Sequence, residues 1–267
     1  MSTRSRFLQQ YVLPAGLLLW LSCAQGTETA SSFFGAVKIE VIDAVAGLKE
    51  FKITINRVEF HRSGASADLE WSNVMDASKE FNLLELRNGF RLPLTNKAVA
   101  VGSYEKIRVV FGAITVRKAD DVERPVTLGP SAANGFVIDF GFSIIEDQTY
   151  QLIFDFDAAR SVKEVSLNQF VFSPIIRVQP TLQSGSISGS ISPPGAAALV
   201  MTTVKGDSIS TYADTSAANG SFQLFALPPA MYDLRIVPGN GSYHETTVTA
   251  ILVRAQIDTS IGQIILR

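Results

Sequence analysis

The sequence predicts an all-β protein. It reads as two β-sandwich domains in tandem, the first with one short helix, behind a cleaved N-terminal signal. Three observations predict this. From Phe33 onward apolar residues recur at every second position in run after run, the period of a strand with one buried face. Gly, Pro, Asn and Asp punctuate the runs, as turns require. Near residue 180 the composition shifts from Phe-rich to Ser-, Thr-, Ala- and Gly-rich, which divides the chain in two.

The first element is an address. Arg4 and Arg6 precede the eleven-residue apolar run Tyr11–Leu21, and Ser22, Cys23 and Ala24 follow it. A positive start, a short apolar stretch and small residues make a secretory signal. A spanning helix needs about 20 apolar residues, so this run is too short to be a permanent anchor. Two cleavages compete. Cutting before Cys23, the chain's only cysteine, would make residues 1–22 a lipoprotein-type signal peptide and place a lipid on the thiol. Cutting after Gly26 would release a soluble secreted or periplasmic chain. The first is favoured, because a lone cysteine in an exported protein has no internal disulfide partner and a lipid gives it a role. Trp20 stands where a lipoprotein signal usually has Leu, a departure from the pattern. By resemblance to the sorting rules of enteric lipoproteins, Ala24 rather than Asp after the cysteine implies the outer over the inner membrane. Residues 23–32 are small, polar and aperiodic, and read as a tether.

Residues 33–180 form the first expected domain. Val37, Ile39 and Val41 alternate with Lys38 and Glu40. Phe51, Ile53 and Ile55 alternate before the phase flips to Val58 and Phe60, which predicts a bulge near Asn56-Arg57. Ile107, Val109 and Phe111 flip likewise after Gly112 to Ile114 and Val116. Phe136 to Ile144 is the longest clean alternation. Leu152, Phe154 and Phe156 follow, then Phe170, Phe172, Ile176 and Val178, with Pro174 marking an edge or bulge. The exception is the stretch from Asp76 to Gly89. Asp76 or Ser78 as N-cap and Asn88-Gly89 as a stop predict a helical turn at 82–87 that plugs one end of the sandwich. Residues 181–185 read as a linker. Residues 186–267 hold seven expected strands, at 186–192, 198–204, 209–213, 222–225, 232–237, 246–253 and 261–266, the size of a small sandwich.

Val58-Glu-Phe-His-Arg62, Leu83-Leu-Glu-Leu-Arg-Asn-Gly89, Gly102-Ser-Tyr-Glu-Lys-Ile-Arg108, Leu152-Ile-Phe-Asp-Phe-Asp157 with Ser161-Val162, and Ser173-Pro-Ile-Ile-Arg-Val178 occur in that order. On these stretches residues 33–180 resemble the bacterial lipoprotein family called domain of unknown function 4382. Trp71 falls where that family tends to have a Trp, and Asp43-Ala44-Val45 departs from its usual Asp-Ala-Pro. The resemblance implies a β-sandwich in the cell envelope and no reaction. Ile187-Ser-Gly-Ser-Ile191, Asn219-Gly-Ser-Phe222 and Leu227-Pro-Pro-Ala-Met-Tyr-Asp-Leu234 resemble the carboxypeptidase regulatory-like domain, a transthyretin-like sandwich grouped with carbohydrate-binding-like folds. That family usually has Gly at the place of Ala230, so a relaxed turn is expected there.

Charge and motifs narrow the function. With 23 Lys+Arg against 25 Asp+Glu the formal charge is −2, and it falls to −4 once Arg4 and Arg6 leave. No basic face remains to neutralise phosphates, so nucleic acid is not an expected partner. Lys205-Gly-Asp-Ser-Ile-Ser210 resembles an esterase nucleophile block, but no Asp-x-x-His accompanies it. It reads as a turn and strand. Gly185-Ser-Ile-Ser-Gly189 has Ile187 where a hydrolase elbow needs Ser. His61 and His244 fall in different domains and lack zinc-ligand spacing, and His61 reads as a solvated loop residue. Asp155 and Asp157 share one strand face. They are read as a solvent-facing pair matched with Arg160 or Arg177; the alternative is a calcium site with Asp139 or Asp43. Arg108 and Arg177 are expected as structural ion-pair partners.

The function these features favour is a non-enzymatic, lipid-anchored envelope protein with no cofactor, whose sandwiches present loops to a carbohydrate or a protein partner. The alternative is an accessory subunit that stabilises or positions an envelope enzyme or transport assembly. A hydrolase stands third. A binding module calls for exposed aromatics, and Trp71 and Tyr243 are the candidates. An accessory subunit calls for a large apolar patch, and a hydrolase for convergent titratable groups.

Overall fold

The computed structural model describes residues 33–44, 48–66, 71–86, 90–215 and 220–267. The signal, Cys23 and the tether lie outside the described residues, as do the stop at Asn88-Gly89 and the side chain of Asp43. Among the described residues no helix is long and apolar enough to cross a membrane. The protein is all-β.

The first part of the chain runs through β1 (Phe34–Ala44), β2 (Glu50–Arg62), β3 (Trp71–Asn73), β4 (Lys79–Asn82), β5 (Leu92–Ala100), β6 (Gly102–Arg117), β7 (Glu123–Leu128), β8 (Phe136–Ile144) and β9 (Thr149–Asp157). A four-residue helix α1 (Ala158–Ser161) leads to β10 (Val162–Ser166), β11 (Gln169–Phe172) and β12 (Ile176–Pro180). One sheet has the order β12-β9-β1-β5; the larger has β10-β11-β7-β6-β2-β3, with β4 paired to β2 and β8 to β6. β1 and β9 pair in parallel, Val37 opposite Tyr150 and Val41 opposite Phe154.

Alternation explains the core. Val37, Ile39, Val41, Phe154 and Phe156 from the smaller sheet meet Phe51, Ile53, Phe60, Ile107 and Val109 from the larger. The phase flips are bulges where β2 meets β6, with register shifts around Ile55. Gly112 fits there because a Cβ would lie 2.6 Å from Asn56 Oδ1. Pro174 sits in the crossing from the larger sheet to the smaller. The helical turn is shorter than expected: a single 3-10 turn at Leu83–Glu85 buries Leu83 and Leu84. Its cap is Asn82, whose side chain accepts from Leu84 N; Asp76 and Ser78 do not cap it, because Lys79–Asn82 is spent on pairing with β2.

After one 3-10 turn at Thr181–Gln183 come β13 (Gly185–Ser192), β14 (Leu199–Val204), β15 (Asp207–Tyr212), β16 (Ser221–Leu227), β17 (Ala230–Val237), β18 (Thr246–Val253) and β19 (Asp258–Ile265). They form sheets of order β16-β13-β19 and β15-β14-β17-β18 around a second core that includes Ile187, Val200, Phe222, Leu234 and Val253. The stretch expected as a linker is tied down: Gln256 N donates to Ser184 O at 2.8 Å and Ser186 N to Ile257 O at 3.1 Å. Lys205 and Gly206, with φ of 50° and 95°, make the two-residue turn joining β14 to β15, the geometry in which both central residues are left-handed.

Each half carries a tyrosine that ties a strand to the chain four residues before it. Tyr104 Oη donates to Ala100 O and Tyr232 Oη to Pro228 O, both at 2.8 Å. A buried phenol needs such a partner, and the same arrangement marks the corner of many Greek-key sandwiches. It gives a physical reason for the Tyr in both sequence stretches quoted above.

Candidate functional site

The site lies where the second sandwich covers the outer face of the first one's smaller sheet. On β9, Leu152, Phe154 and Phe156 point into the first core, so Ile153, Asp155 and Asp157 point away from it. That outer face is not left to solvent. Ile153 and, from β1, Ile42 are buried against Ala226 of β16, with half-buried Phe225 beside them. A positive φ of 54° at Ala226 and the register shift opposite Gly185–Ile187 mark a bulge in β16.

Arg177 of β12 fastens this seam. Its Nη2 lies 2.5 Å from Asp155 Oδ2, and its Nη1 donates to Ala226 O at 2.5 Å. The side chains of Arg177 and Asp155 are only 17% and 12% exposed. Burial pushes the Asp155 carboxyl above its usual value, and the Arg177 guanidinium only partly offsets this. Beside it Asp157 caps α1, accepting from Arg160 N at 2.9 Å and from Arg160 Nε at 2.6 Å. Arg160 reaches on to Ser208 O of β15 at 3.3 Å. Between these groups is a cleft of about 140 Å³, walled also by Ile175, Ile209 and Asp207. Around the seam, Arg91 lies over the Phe225 ring at 4.7 Å and 3.3 Å from Glu40. Burial opposes ionisation of Glu40, but hydrogen bonds from Lys38 and Arg91 outweigh it and hold its carboxyl below the usual range. Chemically the arrangement is a clamp: each carboxylate lining the cleft from the first sandwich is matched by a guanidinium, and both guanidinia extend to carbonyls of the second.

Asp155 and Asp157 therefore do not face open solvent as a free pair. Both expected arginine partners are used, one by each. Asp139 is exposed on β8 in the other sheet. No group of three His, Cys, Asp or Glu suited to a metal occurs among the described residues. Trp71 is half-buried, with the Arg108 guanidinium 4.1 Å from its ring centre and the His61 ring at 4.9 Å, so much of its surface is occupied from within. Arg108 also pairs with nearly buried Glu59 at 2.6 Å. Tyr243 is half-buried against the second core.

His61 is not a solvated loop residue. It is 1% exposed, with Nε2 3.0 Å from Ser66 O and Nδ1 3.2 Å from Glu105 Oε1, because pairing with β3 brings Trp71 over it. Ala230 does not need a relaxed turn: it opens β17, and the left-handed residue is Ala226. The seam itself was missed. Its signal was the doubled apolar pairs Val41-Ile42 and Leu152-Ile153, where strict alternation places a second, outward hydrophobe.

Residues 34–174 match the family described as Domain of unknown function (DUF4382). The match spans more than half of the chain, and the protein belongs to that family. No curated protein matches it. Among solved structures it is similar to GBS52, the minor pilin of Streptococcus agalactiae, at 10% identity and a TM-score of 0.25, covering 86% of this chain and 94% of that one. It is similar to the Bacillus anthracis TIE protein at 9% identity and a TM-score of 0.24, covering 91% and 41%. It is also similar to the C-terminal fragment of the pilus adhesin SpaC from Lactobacillus rhamnosus GG, at 10% identity and a TM-score of 0.18, covering 87% and 97%. These are distant likenesses.

Proposed function

We propose that this is an exported, non-catalytic envelope protein, anchored by a lipid on Cys23 and presenting two clamped β-sandwiches to a carbohydrate or protein partner. The observation that carries the reading is the seam. Its two carboxylates from the first sandwich, Asp155 and Asp157, are consumed by Arg177 and Arg160. Asp207 across the cleft is exposed, with no base or nucleophile paired to it among the described residues, whereas catalysis needs a poised pair of groups. The clamp instead fixes one sandwich against the other, which suits a body that displays loops at a distance from its anchor. Residues 33–180 and 186–267 are read as separate domains, the second as a carboxypeptidase regulatory-like sandwich; its three- and four-stranded sheets and its Tyr232 corner support this. The outer membrane is the favoured address.

Mass spectrometry of the mature N-terminus tests the anchor: an acylated Cys23 is expected, and a free N-terminus at Thr27 overturns it. Affinity capture from solubilised envelopes, run beside a polysaccharide array, tests the binding role. Turnover of an ester, glycoside or peptide substrate that survives repurification would sink the non-catalytic reading.

A further inference from the structure

We propose that the end of the first sandwich bearing Phe33, Phe34 and Ile145 rests on the lipid surface to which the tether leads. The proposal builds on the lipid anchor above and adds which face of the protein meets the membrane.

Three large apolar side chains are exposed at this end: Phe33 at 54%, Phe34 at 48% and Ile145 at 55%. Backbone contacts place them together. Val101 N donates to Phe33 O at 3.0 Å, and Phe34 pairs with Ala100. From the other side, the turn between β8 and β9 folds against β1: Asp147 N donates to Phe34 O at 3.2 Å and Ala36 N to Gln148 O at 2.8 Å. Gly35 permits this approach, since a Cβ there would stand 2.3 Å from Ile145 O.

The inward phase of β1 is Val37, Ile39 and Val41, and its outward phase includes Lys38 and Glu40. Phe34 belongs to the outward phase and Phe33 precedes the strand on the inward one. Successive side chains point to opposite faces of a sheet. A partner packed on one face would touch one Phe, whereas a surface met end-on touches both, together with the turn. The chain supplies such a surface. Nine residues separate Cys23 from Phe33, so this end lies at most about 35 Å from a lipid on Cys23 even with the tether extended.

Among the described residues, the charges beside the patch include Arg62, whose Nη2 donates to Val101 O at 3.0 Å, and the exposed Glu146 and Asp147. Acidic residues outnumber basic ones here, so contact depends on apolar insertion rather than on attraction to anionic lipid.

The test uses the full acylated protein on phosphatidylcholine vesicles. With Cys23 acylated, Ile145→Cys provides a single free thiol for an environment-sensitive fluorophore, and Leu167→Cys, 85% exposed on the turn between β10 and β11, provides the control. The probe at 145 is expected to shift to the blue on vesicles and to be quenched by spin-labelled acyl chains, and the probe at 167 is not. Adding Phe33→Ser and Phe34→Ser should reduce the fraction of inserted probe about tenfold, while anionic lipid should not increase it. A probe at 145 that stays in water on vesicles holding the protein overturns the proposal. So does a probe already apolar without vesicles and unchanged by them, which would mean that the tether or a second copy covers the patch. If mass spectrometry finds no acyl group, the anchor reading fails by itself, and the same probe in an unacylated chain carrying Cys23→Ser, at high vesicle concentration, still decides the docking.

Discussion

Replacing Arg177 with Met keeps much of the stem's volume and removes the charge that neutralises Asp155. Three polar groups then lose a partner: the Asp155 carboxylate, and the carbonyls of Ala226 and Phe225, the latter 3.5 Å from Nη2. Removing one member of a buried pair costs about 3–5 kcal/mol, and the residual exposure of both side chains argues for the lower end, about 3 kcal/mol near neutral pH. The cost should depend on pH in a definite direction. The folded-state pKa of Asp155 already lies above its unfolded value, so its contribution to stability is fullest in acid and is lost as pH rises through the folded value. Without Arg177 the carboxyl rises further, and the window of loss widens. Arg177→Met should therefore cost about 1–2 kcal/mol near pH 4, mainly from unpaired carbonyls, and about 3 kcal/mol near pH 8. Adding Asp155→Asn should recover part of the loss near pH 8 and little near pH 4. Urea midpoints of the parent, the two single variants and the double variant at both pH values measure this. A destabilisation that is equal at both pH values, or larger in acid, would refute the linkage to Asp155. Parent-like midpoints throughout would refute the clamp.

Other substitutions have expected outcomes of their own. Phe142→Ala should cost about 3–4 kcal/mol by denaturant titration, because its ring packs against Phe60, Tyr104 and Tyr150. Phe140→Ala, half-buried, should cost about 1–2 kcal/mol, and Asp139→Ala, exposed on the opposite face, less than about 0.5 kcal/mol with or without calcium. Tyr232→Phe should lower stability by about 1 kcal/mol through the lost bond to Pro228 O, read from the same titrations. In a carboxyl-carbon NMR titration the Asp120 side chain should titrate at about 2, held down by the Arg124 guanidinium, and should move up toward its ordinary value in Arg124→Gln.

Much of the fold was legible because it rests on local alternation. The strands around Phe51, Ile107, Phe136 and Phe154 each announce a buried face, and the flips at Asn56 and Gly112 announce the bulges that bring β2 and β6 into register. The cap of the 3-10 turn was misread because Asp76 and Ser78 have the right chemistry, and only the pairing of Lys79–Asn82 with β2 disqualifies them. His61 was misread for a related reason. The residues that follow it, Arg62-Ser63-Gly64, read as a loop, but its cover comes from β3. The seam was least legible. Arg177, Asp155 and Ile153 look like the outer face of any sheet until a second sandwich is laid upon them, and a non-local docking of that kind leaves only Ile42 and Ile153 as its trace.

The bulge at Ala226 bears on how the two halves can vary. The second sandwich answers Arg177 with carbonyl oxygens, which every amino acid carries. Any side chain able to hold the left-handed turn would present the same acceptors, and Gly would do so with less backbone strain. The first sandwich answers with a guanidinium whose donors point in fixed directions, and Lys cannot reproduce that fork. Residues 225 and 226 are thus constrained by burial and backbone shape rather than by a polar side chain, whereas position 177 requires the guanidinium itself. A foreign sandwich grafted after Ser184 would have to reproduce a backbone shape, rather than a sequence, to lock in place.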